Sequence, residues 1–107
     1  MPVIHISAKE LQKKLQEDVA PLLLDVREPQ EFDFSHIEGS LLIPLDQIPK
    51  RMNEINSSRG CVVICHVGVR SHQVAAYLDH YGFSNIYNLR GGIDAWSLDC
   101  DQSVLRY

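Results

Sequence analysis

Residues 62–75 read VVICHVGVRSHQVA: an apolar, β-branched run that ends at a thiol, then a short loop with one glycine, then a helical pattern. A strand that is apolar at every position has no polar face to show to water, so it must be covered on both sides. The pattern that follows, with Val74, Leu78 and Tyr81 at i, i+4 and i+7, predicts a helix stopping at Gly82. Strand, loop and helix in that order are the first parts of a parallel crossover unit.

The rest of the chain alternates in the same way. Val3 to Ile6 is a short β-type run, and SAKE at 7–10 reads as a capping box for a helix carrying Leu11, Leu15 and Val19. LLLDV at 22–26 is a second buried-strand run, closed by Asp25 and Arg27. EPQEFDF at 28–34 predicts a short helical turn with proline at its start, and Leu41 to Ile43 form another apolar run. Ile48, Met52 and Ile55 predict a helix over 46–56, with Pro49 tolerated in its first turn. Ile86 to Leu89 make one more strand, and GGIDAW at 91–96 opens a final helix. Together these elements predict an α/β domain with a mainly parallel central sheet flanked by helices on both faces. At 107 residues one domain is expected, spanning 1–98, with 99–107 as a C-terminal tail of little pattern.

Composition narrows the class. Hydrophobic residues make up 45% and charged residues 22%, the balance of an ordinary folded domain. The net charge of -4 comes without a basic stretch, so no nucleic-acid partner is expected. No window approaches the ~18 apolar residues of a membrane span, and the N-terminus lacks a signal-type h-region, so the expected location is cytoplasmic with no membrane partner. Three cysteines, Cys61, Cys65 and Cys100, without an export signal imply reduced thiols rather than a disulfide framework. The spacing of Cys61, Cys65, His66 and His72 is not that of a zinc site, so no metal is expected. Cys61, inside a β run, is expected in the core, and Cys100 is expected as an incidental thiol of the tail.

Ligands of open parallel sheets bind beyond the carboxyl ends of strands, and Cys65 is expected at such an end. In the loop His66, Val67, Gly68, Val69, Arg70, glycine can take a positive φ and let N–H groups turn inward, around the sulfur. Those donors and the positive end of a helix beginning near Ser71 favour a thiolate at Cys65. Ser71 is expected to cap that helix, and Arg70 to face an anion or a carboxylate. Thiol chemistry, phosphate-ester hydrolysis through a cysteinyl phosphate and an inert structural cysteine all remain compatible with this arrangement.

The run CHVGVRS at 65–71 resembles the C-x-x-G-x-R-S active-site loop of single-domain rhodaneses, a family of sulfurtransferases. Three further stretches resemble the family in order: LLDVRE at 23–28, SHIEGS at 35–40 leading to Ile43 and Pro44, and GGIDAW at 91–96. The resemblance runs from about residue 4 to 98 and implies the rhodanese-like three-layer fold. It implies a double-displacement cycle in which Cys65 takes a sulfane sulfur from a donor such as thiosulfate, forming a persulfide. A thiol or cyanide then removes it, and no cofactor is needed. On the same basis the N–H groups of His66 to Arg70 hold the persulfide, while Asp25 and Arg27 orient the loop or form an ordinary strand-end salt bridge. His36, Gly91, Gly92 and Trp96 are implied to be structural. Cys65 to Arg70 is C-x4-R, one residue shorter than the C-x5-R cradle of cysteine-dependent phosphatases of related fold, which argues against a phosphoryl group. Val67 and Val69 stand where thiosulfate-specialised members often carry cations, so a protein sulfur-relay partner is an alternative to small-molecule donors. A non-catalytic regulatory module is the other alternative, disfavoured by the presence of Cys65, Gly68 and Arg70.

Overall fold

The computed structural model describes residues 3–107. Five strands form one parallel sheet: β1 (Ile4–Ile6), β2 (Leu22–Asp25), β3 (Leu41–Leu42), β4 (Cys61–Ile64) and β5 (Ile86–Leu89), in the order β1-β5-β4-β2-β3. Between and after them lie α1 (Ala8–Leu15), α2 (Pro29–Phe34), α3 (Ile48–Arg51), α4 (Val69–His80) and α5 (Gly92–Asp99). The most apolar run in the sequence, β4, occupies the centre of the sheet, where every residue is fully buried.

Side chains alternate across a strand, and β4 divides its residues between two cores accordingly. Cys61, Val63 and the following Cys65 pack with Ile48, Val74 and Leu78 on the α3 and α4 side. Val62 and Ile64 pack with Leu11, Ile93 and Trp96 on the α1 and α5 side. The three layers expected from the sequence are therefore present.

Local chemistry sets the helix ends. Ser7 caps α1 through the expected capping box, its hydroxyl accepting from the Glu10 N–H at 3.1 Å while the Glu10 carboxylate accepts from the Ser7 N–H at 2.8 Å. This helix ends at Leu15, so Val19 is not on its stripe and is exposed. The helix expected over 46–56 is broken: a 3-10 turn at Leu45–Gln47, one α turn at Ile48–Arg51 and a second 3-10 turn at Met52–Glu54. Pro49 lacks an N–H and its ring clashes with a preceding helical turn, so it is tolerated only at the start of a helix, and the α turn begins just before it, at Ile48. The tail folds back onto the domain, burying Val104 in the α1–α5 core and carrying Tyr107 to the end of β4. No described helix is long and apolar enough to cross a membrane.

Candidate active site

Cys65 stands one residue past the end of β4, 1% exposed, at the carboxyl edge of the sheet as the topology requires. The chain turns at Gly68, whose φ of +105° lets its N–H point back and donate to the Cys65 sulfur at 3.1 Å. A side chain at this conformation would be strained, and a Cβ would lie 3.3 Å from the Gly91 nitrogen. Gly68 also starts α4, so the helix begins at Val69, two residues before Ser71. This corrects the expected cap: Ser71 lies inside the first turn, fully buried, where a cap could not be. Its hydroxyl instead meets the Cys65 sulfur at 3.2 Å and donates to the Asn88 side-chain carbonyl.

The loop backbone is fastened from below by the second glycine motif. The Ile93 N–H donates to the Cys65 carbonyl at 2.8 Å and the Asp94 N–H to the His66 carbonyl at 3.1 Å. The first turn of α5 thus holds the loop by its carbonyls, while the Gly68 N–H faces the sulfur. Gly92 is where the two segments touch, because a Cβ there would fall 2.5 Å from the Cys65 carbonyl oxygen.

Arg70 meets a carboxylate, in a two-pronged pair with Glu31 of α2 at 2.8 and 3.0 Å. Hydrogen bonding to Arg70 leads the causes that lower the Glu31 carboxyl from its ordinary value to about 2, with Tyr107 and the Glu28 N–H assisting. The same pair raises Arg70 further above the range in which it could lose its proton. Val67 and Val69, 52% and 65% exposed, form an apolar rim beside this pair. His66 is held by the tail: its ring stacks on Tyr107 at 4.0 Å, and its Nε2 bonds the Tyr107 carbonyl at 2.9 Å.

Asp25 and Arg27 are both fully buried and form a two-pronged pair, with Arg27 Nη2 donating to Asp25 Oδ2 at 2.8 Å. Arg27 spends its other donors on the Ser35 carbonyl at 2.7 Å, the Glu31 carbonyl at 3.3 Å and the Tyr107 hydroxyl at 3.1 Å. None of these side-chain bonds reaches the Cys65 loop. Of the two expected roles, the salt bridge at the strand end is present, and hydrogen bonds from this pair to the loop are not: Arg27 bonds the backbone of α2 and its C-cap, and α2 presents Glu31 to Arg70. His36 is bonded to the Phe32 carbonyl at 2.8 Å and stacked on the Phe32 ring, away from the sulfur. Cys61 is buried at the far end of β4, and Cys100 is a partly exposed free thiol beside the tail.

Sequence spacing does not single out Glu31, Tyr107 or Asn88. Glu31 has a local role that accounts for it, accepting from the Glu28 N–H at 2.9 Å as α2 begins. Tyr107 reaches the site from a segment with no periodicity, and Asn88 reads as a polar residue in an otherwise apolar strand. That last feature was a usable signal, since a buried amide in a central strand needs partners.

Comparison with known proteins fits this geometry. The sequence matches the Rhodanese-like domain family over residues 7–99. The chain belongs to the rhodanese-like family. It is 40% identical over 95 residues to a sulfurtransferase of Allochromatium vinosum, covering 89% of each chain. It is 36% identical to the putative sulfur carrier protein YrkF of Bacillus subtilis, over 87% of this chain and 50% of that protein. A chloroplastic rhodanese-like/PpiC domain-containing protein of Arabidopsis thaliana is 39% identical over 99% of this chain, which spans 38% of that longer protein. Among solved structures, a rhodanese-like domain protein from Staphylococcus aureus superposes with a TM-score of 0.85 at 32% identity, covering 98% of this chain and 99% of that one. The rhodanese-like fold is thus shared over nearly the whole length, and relatives named for sulfur transfer and sulfur carriage support a sulfur-transfer role.

Proposed function

We propose that this rhodanese-like domain is a sulfurtransferase in which Cys65 carries a sulfane sulfur as a persulfide. The observation that carries the proposal is the surroundings of the Cys65 sulfur, with the Gly68 N–H at 3.1 Å and the Ser71 hydroxyl at 3.2 Å in a four-residue loop closed by Arg70. Both groups can donate to a thiolate, and the loop amides of His66 to Arg70 are the donors expected to stabilise charge on the outer persulfide sulfur.

In the first step the Cys65 thiolate attacks the outer sulfur of the donor. With thiosulfate, a new S–S bond forms at Cys65, the old one breaks, and sulfite leaves with the electron pair. In the second step an acceptor nucleophile attacks the outer persulfide sulfur and the Cys65 thiolate leaves. Cyanide departs as thiocyanate, and a thiol departs as its own persulfide. Because Cys65 is 1% exposed, only a slender group can reach it end-on, which suits a terminal sulfur better than a tetrahedral phosphoryl group.

A protein persulfide is favoured over thiosulfate as the donor by two features. Arg70 is committed to Glu31, so its charge is largely satisfied before any anion arrives. The rim is apolar at Val67 and Val69, a surface that suits contact with another protein around a thiol-bearing segment. The test compares donors: the protein is incubated with thiosulfate or with a protein persulfide, and intact mass reports the gain of one sulfur and its removal by cyanide. Loading from either donor that disappears in Cys65→Ser supports the mechanism, and undiminished loading of Cys65→Ser overturns it. Faster loading from the protein donor supports the relay, and faster loading from thiosulfate assigns a small-molecule donor.

A further inference from the structure

Behind the sulfur lies a short polar chain inside the apolar layer between α4 and the sheet. Ser71 is 0% exposed and Asn88 is 4% exposed. Asn88 sits at the middle of β5, paired in register with His5 of edge strand β1 and with Val63 of β4, and α4 lays Ser71 over it. Its side-chain NH2 lies 3.1 Å from His5 Nδ1 and 3.5 Å from the Gly68 carbonyl. The Gly68 carbonyl can only accept, so it requires the NH2 end of the amide on its side. That leaves the Asn88 oxygen facing the Ser71 hydroxyl, which donates to it.

A hydroxyl has one proton to give. While Ser71 gives it to Asn88, only its lone pairs face Cys65, and they accept from the thiol S–H, stabilising the protonated form. A thiolate needs donors, so Ser71 must swing its proton from Asn88 to the sulfur. The Asn88 oxygen, buried and without another partner among the described residues, then loses its hydrogen bond. The sulfur and the Asn88 oxygen therefore compete for one proton, and the same amide contacts the carbonyl of Gly68, the residue whose N–H is the sulfur's other donor.

We propose that Asn88 is a positioning residue for the nucleophile, acting through Ser71: its carbonyl withholds the Ser71 proton from Cys65 and so holds back the thiolate until the hydroxyl turns. This rests on Cys65 as the nucleophile and deepens that reading. It accounts for an asparagine in a central strand otherwise made of apolar residues, where the amide would cost stability without a role of this kind.

The test is the rate at which iodoacetamide alkylates Cys65, followed by peptide mass as a function of pH. Asn88→Leu keeps the branched outline, removes the competing acceptor and is expected to speed alkylation several-fold, up to about tenfold. Asn88→Asp keeps an acceptor and adds negative charge, and is expected to slow it by a similar factor. Ser71→Ala is expected to be slower than wild type, and Asn88→Leu to have no effect in that background. Opposite signs for Leu and Asp, with the Leu effect abolished in Ser71→Ala, support the proposal, because general damage to the fold would not produce them. Equal signs, no change, or a Leu effect that persists without Ser71 overturn it. Alkylation reports the sulfur whether or not any sulfur donor is accepted, so failure here is separable from failure of the sulfurtransferase reading.

Discussion

Strand β4 begins at one cysteine and is followed directly by another on the same side of the sheet, and the two ends make different environments from the same material. Cys61 and Cys65 are both buried, 0% and 1% exposed, and both pack in the α3–α4 core. At Cys61 burial is the whole story: desolvation pushes its thiol up to about 12, so it stays protonated and inert. At Cys65 the strand has ended, and the chain turns at Gly68 to aim an N–H at the sulfur while α4 brings the Ser71 hydroxyl alongside. Burial alone does not make a reactive thiol. What separates the two ends is the supply of donors where regular strand pairing stops, which is also where a parallel sheet leaves room for a ligand.

The contrast is sharpened most by removing each thiol in turn. Cys65→Ser is expected to lose sulfur loading to background, whereas Cys61→Ala is expected to load at the wild-type rate and to cost about 1–2 kcal/mol of stability, read from urea unfolding. Loading that depends on Cys61 would break the contrast outright.

Next in size is the buried support of α2. Arg27→Ala leaves the Asp25 carboxylate buried without its partner, an expected loss of about 3–5 kcal/mol measured by the unfolding midpoint. A change below about 1 kcal/mol would show that this pair is ordinary strand-end decoration. Arg70→Ala should act the other way round. Its partly exposed pair with Glu31 contributes less than about 1 kcal/mol to folding, yet sulfur loading is expected to slow about tenfold as the loop loosens. Unchanged loading would reduce Arg70 to a surface charge.

The smallest effect is on pH dependence. The Glu31 carboxyl falls from 4.5 to about 2 in the folded protein, chiefly through Arg70. Its contribution is therefore fully present above pH 4.5 and is lost as pH falls toward 2. The stability difference between wild type and Glu31→Gln is expected to be constant from about pH 5 to 8 and to shrink below that. A difference that grows on acidification would contradict the pairing.

The layers of the fold were legible because they follow from period and burial: LLLDV and CVVI had to be interior parallel strands, and β2 and β4 are adjacent in the sheet. The helix expected over 46–56 was not legible in detail, since Pro49 and the 3-10 turns on either side decide by backbone sterics what side-chain spacing cannot. Within the site, CHVGVRS identified the sulfur, the turning glycine and the closing arginine. The identity of Arg70's partner, 39 residues away at Glu31, and the arrival of Tyr107 from the tail depend on tertiary packing. Ser71 lies a turn inside α4 and does not cap it, because the positive φ at Gly68 starts the helix earlier than hydroxyl capping would suggest.

The most direct measurement maps where transferred sulfur resides. After loading with the better donor, the protein is digested without reduction, and peptides containing Cys61, Cys65 and Cys100 are weighed separately. One added sulfur on the Cys65 peptide alone, discharged by cyanide, is the expected result. Sulfur on Cys61 or Cys100 with Cys65 unmodified would contradict the proposed mechanism at its centre.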